Sequence, residues 1–306
     1  MKKDLISIKD LSAQEIDSIF KLASDLKKNR SKFSKALSGK TLALIFQKPS
    51  NRTRVSFEVG MYQLGGNALY LSPGEISLGV RESINDVAKT ISRYVDGIVL
   101  RTFEHKNCLD MARSADVPVI NGLTDFSHPC QGLADLFTVR EKFKNLKNIT
   151  LAYIGDGNNV CNSLLFAASK TGMNINVATP KGYAPSAEVI SQAQVFAQDS
   201  GSKIAVFDDP VGAVKGSQVV YTDVWASMGQ EEEISKRKII FKDFQINAKL
   251  LSNAASDFIV MHCLPAHRGE EITDEVMDSK NSVVFDQAEN RMHVQKAILI
   301  KLLRKN

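Results

Sequence analysis

Thr41-Leu42-Ala43-Leu44-Ile45-Phe46 is followed closely by Ser50-Asn51-Arg52-Thr53-Arg54. The first segment is an apolar run of strand length. The second opens a helical run, Val55 to Leu64, which Gly65-Gly66 closes. Strand, turn and helix in that order begin an α/β fold. At the turn, the free N–H groups of a helix N-terminus meet two arginines and two hydroxyls. That convergence suits a small, highly charged anion such as phosphate. The alternative is a charged first turn on a solvated helix, although arginine there opposes the helix dipole and needs a reason.

The alternation continues outward from this unit. Strand candidates are 41–46, 67–71, 97–100, 117–120, 149–154, 174–178, 203–207, 218–222, 258–263 and 282–285. Amphipathic stretches near 11–28, 53–64, 83–95, 107–115, 130–144, 160–171, 186–200 and 230–241 lie between them. The pattern predicts an α/β protein of two domains, each with a mostly parallel sheet flanked by helices. The polar segment from Lys142 to Asn148 is the expected crossing point, giving domains 1–145 and 146–289. The helix expected over 290–306 packs back on the first domain.

The bulk numbers agree with this organisation. At 306 residues the chain exceeds a typical single domain. Hydrophobic residues are 43% and charged residues 24%, an ordinary globular balance. The net charge of +5 suits an anionic metabolite and is too diffuse for a nucleic-acid partner. The first residues are too polar for a signal peptide, and no apolar run is long enough to span a membrane. Cys108, Cys130, Cys161 and Cys263 form no CxxC pair, so reduced thiols in a cytoplasm are expected.

Unusual polar residues cluster at the expected strand exits: Ser50 and Arg52, Arg101, His128, Asn158 and Asn159, Asp223, and His262 with Cys263. Ligands of parallel sheets bind beyond the carboxyl ends of the strands, so two facing domains would line one cleft with these groups. Gly155-Asp156-Gly157 follows a strand as a dinucleotide fingerprint should. However, Val160 replaces the third glycine and no acidic residue ends the next strand. NAD is therefore not expected, nor is a P-loop nucleotide. His128, Cys130, His262, Cys263 and His267 lack zinc-site spacing, and no metal is expected.

Four ordered motifs carry a family resemblance. Ser50-Asn51-Arg52-Thr53-Arg54 with Ser56-Phe57-Glu58 resembles the Ser-Thr-Arg-Thr-Arg…Ser-Phe-Glu signature of aspartate and ornithine carbamoyltransferases. His128-Pro129-Cys130-Gln131 resembles their His-Pro-x-Gln. Asp223-Val224-Trp225-Ala226-Ser227-Met228-Gly229 and His262-Cys263-Leu264-Pro265 are similar to the ornithine-specific members, where aspartate enzymes carry His-Pro-Leu-Pro. Ala288-Glu289-Asn290-Arg291 also fits.

The resemblance implies transfer of a carbamoyl group from carbamoyl phosphate to L-ornithine, giving L-citrulline and phosphate in arginine metabolism. It implies no metal or organic cofactor, and a homotrimer. Ser50, the Asn51 backbone, Arg52 and Thr53 would hold the phosphate. Arg101 and His128 would bind the carbonyl oxygen and Gln131 the carbamoyl amide, with Cys263, Leu264 and Arg291 completing that substrate's site. Asn159, Asp223, Ser227 and Met228 would hold ornithine. Cys263, beside the δ-amine, shares the catalytic role with Arg101 and His128. The loop carrying Ser227 would close over ornithine.

Two positions depart from the family pattern. Asn51 stands where the signature has Thr, which is tolerable if the backbone N–H does the work. Ser77 stands where relatives often place Gln or His reaching into the neighbouring subunit's site. A serine there implies a shorter or water-mediated trans contact. The competing readings are an enzyme acting on putrescine, an acylated ornithine or aspartate, and a catalytically silent binding subunit.

Overall fold

The computed structural model describes residues 3–76, 78–226 and 233–304. Its chain divides into two units, one running to Ala134 and resumed from Asn290, the other Asp135–Glu289.

The first unit opens with α1 (Ala13–Lys28), which Ser12 and Glu15 start with a reciprocal capping box. Then follow β1 (Thr41–Phe46), α2 (Asn51–Gln63), β2 (Asn67–Leu71), a short α3 (Pro73–Ile76) and α4 (Ile84–Ile91). Next come β3 (Gly97–Arg101), α5 (His105–Ser114), β4 (Val119–Leu123) and α6 (Pro129–Phe143). The unit boundary falls inside α6. The four strands are parallel, in the order β2-β1-β3-β4. β1 and β3 are buried along almost their whole length, as central parallel strands must be. Ala43, Ile45, Ile98, Leu100 and Val119 pack with Val87 and Met111 of the covering helices.

The second unit continues through β5 (Thr150–Ile154), α7 (Asn159–Thr171), β6 (Asn174–Ala178), α8 (Ala187–Ser200), β7 (Ile204–Phe207) and α9 (Pro210–Val214). It ends with β8 (Val219–Thr222), α10 (Ile234–Ile240), α11 (Ala248–Leu251), β9 (Ile259–His262) and α12 (Asp274–Met277). Its five parallel strands run β7-β6-β5-β8-β9. Ile154, Val220 and Val260 form a core with Trp225, Phe241 and Val276.

The last helix, α13 (Val284–Leu303), begins earlier than the sequence suggested. Its later part belongs to the first unit, where Asn290 accepts from Lys27 at 2.8 Å and Lys296 donates to Gln63 at 2.9 Å. The expected strand at 282–285 is corrected accordingly. Ser282 makes one isolated bridge to Val260, and the helix starts two residues later. The β-branched pair Val283-Val284 is buried, which accounts for its strand-like appearance.

Each sheet reverses its winding once. In the first unit the reversal lies between β1 and β3, and in the second between β5 and β8. Such switch points leave an open crevice at the strands' carboxyl ends. Register aligns the exits there: Phe46 opposite Arg101, Ile154 opposite Thr222, and Thr222 opposite His262.

Candidate active site

In the first unit, Ser50 is extended (φ −162°, ψ 110°) and caps α2. Its Oγ accepts from the Thr53 N–H at 3.3 Å and donates to Thr53 Oγ1 at 3.0 Å. Thr53 is fully buried and its hydroxyl also accepts from Arg291. Arg52 and Asn51 are exposed on the first turn. Arg54 departs from the expected convergence. It pairs with Glu58 at 3.0 Å and lies 4.0 Å over the Tyr70 ring, because position 54 points one residue further round the helix.

Arg101 ends β3, across the switch point from Ser50, and is 7% exposed. Burial, then Arg291 and Arg52, bring its guanidinium down to about 10. His128 immediately precedes α6, and its carbonyl accepts from the Gln131 and Gly132 N–H groups at 3.1 Å. Burial, then Arg291 and Arg101, hold its imidazole well below the usual histidine range, so it is neutral at pH 7. Gln131 and Arg291 are buried beside this cluster's elements. Arg291 and Arg52 both oppose the charge on Arg101, a positive cluster that a dianion would relieve.

In the second unit, Asn158 caps α7, its Oδ1 accepting from Val160 and Cys161 N–H groups at 2.9 and 3.1 Å. Its amide donates to Asp223 Oδ2 at 2.8 Å. Asp223 leaves β8, and Cys263 leaves β9 beside it. The Cys263 thiol donates to Asp223 Oδ1 at 2.9 Å. Burial, then the Asp223 carboxylate, push the thiol well above the ordinary cysteine range. Of the two proton acceptors weighed from sequence, the thiol therefore keeps its proton. Asn159 is the first residue of α7. Leu264 is half-buried with φ +60°. Ser77, Ser227 and Met228 lie outside the described residues.

Asp223, His262 and Cys263 offer ligand atoms within 4.8 Å of one another. Their donors are spoken for: the thiol points at Asp223, and both ring nitrogens of His262 are hydrogen-bonded. The group does not need an ion to be satisfied.

Sequence reasoning missed two supporting groups. Arg237, 6% exposed, bonds Asp156 Oδ2 at 2.9 Å, the Trp225 carbonyl at 2.8 Å and Glu233 at 2.8 Å. It thereby ties α10 to the turn that supplies Asn158. Gly157 in that turn admits no side chain, since a Cβ would fall 2.3 Å from Pro185 N. Asn158 was legible as a polar residue at a strand exit, but its bond to Asp223, which lies far along the chain, was not.

Residues 3–141 match the carbamoyl-phosphate-binding domain of the aspartate/ornithine carbamoyltransferases, and residues 147–302 match their Asp/Orn-binding domain. The chain belongs to the aspartate/ornithine carbamoyltransferase family. It is 54% identical over 299 residues to the ornithine carbamoyltransferase of Thermococcus kodakarensis, covering 97% of this chain and 95% of that one. It is also 54% identical to the anabolic ornithine carbamoyltransferase of Pyrococcus furiosus, covering 97% and 95%. The solved ornithine carbamoyltransferase from Pyrococcus furiosus superposes with a TM-score of 0.96 at 52% identity, covering 99% of this chain and 97% of that one.

Proposed function

We propose that this protein transfers the carbamoyl group of carbamoyl phosphate to the δ-amine of L-ornithine, releasing L-citrulline and phosphate in arginine synthesis. The observation that carries the reading is the contact of Cys263 with Asp223, joining the two second-unit motifs that separate ornithine from aspartate enzymes.

In this reading the phosphate sits on the α2 N-terminus, held by Ser50, Arg52, Thr53 and the Asn51 N–H. Arg291 fixes the Thr53 hydroxyl. Arg101 and neutral His128 donate to the carbonyl oxygen as negative charge grows there. Removing one such donor typically costs about 2.7–4 kcal/mol of transition-state stabilisation. Gln131 accepts from the carbamoyl NH2.

Ornithine presents the harder problem. A δ-amine titrating near a lysine, at about 10.4, spends roughly 4.6 kcal/mol to become neutral at pH 7. Asp223, oriented by Asn158 and Cys263, orients the amine and takes its proton. Asn159, Ser227 and Met228 hold the α-amino and α-carboxylate groups, and Cys263 and Leu264, which complete the carbamoyl-phosphate site, border the δ-amine where the two substrates meet. The amine lone pair then forms the C–N bond as the C–O bond to phosphate breaks, the departing phosphate takes the proton the nitrogen sheds, and Arg52 meets the departing charge. No metal or organic cofactor enters these steps.

A homotrimer in the cytoplasm completes the proposal, with Ser77 as the trans contact. Support for assembly comes from Val55, Val59 and Tyr62 of α2 and Leu69 of β2, which are 54%, 36%, 78% and 47% exposed. Val55, Val59 and Tyr62 stand at helical spacing and make one apolar stripe on α2 that a second copy would cover. The four free thiols suit a reducing compartment. Among the described residues, no helix is long and apolar enough to cross a membrane.

The test offers carbamoyl phosphate with ornithine, putrescine, acetylornithine or aspartate in separate reactions. Citrulline from ornithine, with the other amines at least a hundredfold poorer, is expected. Preference for another amine, or no carbamoylated product at all, would refute the assignment.

A further inference from the structure

His262 begins the second unit's most distinctive motif, yet no step above uses its side chain. The imidazole is completely buried, as is Glu271. The Leu264 backbone N–H, which can only donate, lies 2.9 Å from His262 Nδ1. Nδ1 must therefore be an acceptor, and the ring proton sits on Nε2. Nε2 lies 3.0 Å from Glu271 Oε1 and donates to it. That oxygen also accepts from the His267 N–H at 2.6 Å. The His262 backbone N–H is held in turn by Gln287 Oε1 at 2.9 Å.

The chain so clamped is unusual. Leu264 has φ +60°, a conformation that residues with side chains rarely adopt. A backbone outlier of this kind persists only where its surroundings over-determine it. Here the surroundings are the ring acceptor at Nδ1 and the carboxylate that fixes the ring. Cys263 lies between the clamped residues, so its direction toward Asp223 depends on the same backbone.

We propose that the buried His262–Glu271 pair is a positioning device that sets the Leu264 backbone and, through it, the edge that receives the ornithine amine. This rests on the reading that Cys263 and Leu264 border that amine. His262 touches no substrate in this role. Its two ring nitrogens do separate work: Nδ1 fixes the loop and Nε2 satisfies Glu271.

Two substitutions split those tasks. In His262→Asn the side-chain oxygen replaces Nδ1 but cannot reach Glu271. In His262→Gln the amide replaces Nε2 but offers nothing at Nδ1. We expect His262→Gln to keep its melting temperature within a few degrees while the ornithine KM rises tenfold or more and kcat falls. We expect His262→Asn, which keeps an acceptor near Nδ1 but loses the carboxylate that fixes it, to lose melting temperature and to raise the ornithine KM by less than His262→Gln does. The carbamoyl phosphate KM should rise by less than the ornithine KM in both. Glu271→Ala, with Glu271→Gln as the conservative rescue, reads the same device from its other end and decides the matter if a His262 variant does not fold. Ornithine parameters unchanged in His262→Gln or Glu271→Ala would overturn the proposal, as would equal losses for both substrates. Cys263→Ala serves as the separate arm. If it leaves ornithine turnover intact, the amine-site reading beneath the proposal falls. If it is impaired while His262→Gln is not, the positioning role alone falls.

Discussion

Cys263 Sγ stands 2.9 Å from Asp223 Oδ1 because Thr222 and His262, the residues just before them, are register partners in β8 and β9. The pairing makes the thiol a donor. With burial and the carboxylate both opposing ionisation, the thiolate fraction at neutral pH is small. Iodoacetamide at pH 7.5 should therefore label the native protein only slowly. Cys108, Cys130 and Cys161 are buried and likewise pushed upward, Cys130 to about 12. Asp223→Asn should accelerate labelling of Cys263, since it removes the opposing charge. Rapid labelling of the unmodified protein at Cys263, read by peptide mass, would contradict the thiol assignment.

A pH dependence of stability follows from His128 and His105. Burial is the main cause in each, and both titrate below the unfolded value of 6.5. The unfolded chain therefore binds more protons once the pH falls below about 6.5, and folding stability declines in that direction. The slope approaches about 1.36 kcal/mol per pH unit for each histidine until its folded pKa is reached. Denaturant midpoints measured from pH 7.5 to 5 should fall, and His105→Gln should flatten part of that fall. A midpoint rising toward pH 5 would contradict the sign.

Arg237 offers a test of the second unit's internal support. It is buried against Asp156, so replacing it leaves a carboxylate without its cation. Breaking a buried pair from one side typically costs about 3–5 kcal/mol. Arg237→Met should destabilise by that order and also weaken ornithine, since the 155–157 turn carries Asn158. Replacing both Arg237 and Asp156 with apolar residues should recover part of the stability. Urea melts of the single and double variants measure the difference.

Much of this architecture was legible because short β-branched runs, helix caps and glycine stops recur at regular spacing. The turn at Ser50 was expected to open a helix, and the structure shows Ser50 capping α2. The segment at 282–285 misled because burial of Val283 and Val284 looks the same in a strand and at a helix start. Short helices such as α9, α11 and α12 have too few residues for a period to show. Strand order was beyond reach, because nothing in the sequence says that β1 neighbours β3 or β5 neighbours β8. Those adjacencies put Ser50 near Arg101 and Asn158 near Asp223. The His262–Glu271 bond was equally hidden: an irregular loop joins them, and no periodicity reports its path.

The division of labour between the two units is tested most directly by equilibrium binding of radiolabelled carbamoyl phosphate to the unmodified, Arg101→Lys and Asp223→Asn proteins. Losing a charge-assisted hydrogen bond typically costs about 1.5–3 kcal/mol, or roughly ten- to a hundredfold in affinity. Arg101→Lys should weaken carbamoyl phosphate by that factor. Asp223→Asn should bind it within about threefold of the unmodified protein while kcat/KM for ornithine falls at least about tenfold. Unchanged binding in Arg101→Lys, or its loss in Asp223→Asn, would contradict the account.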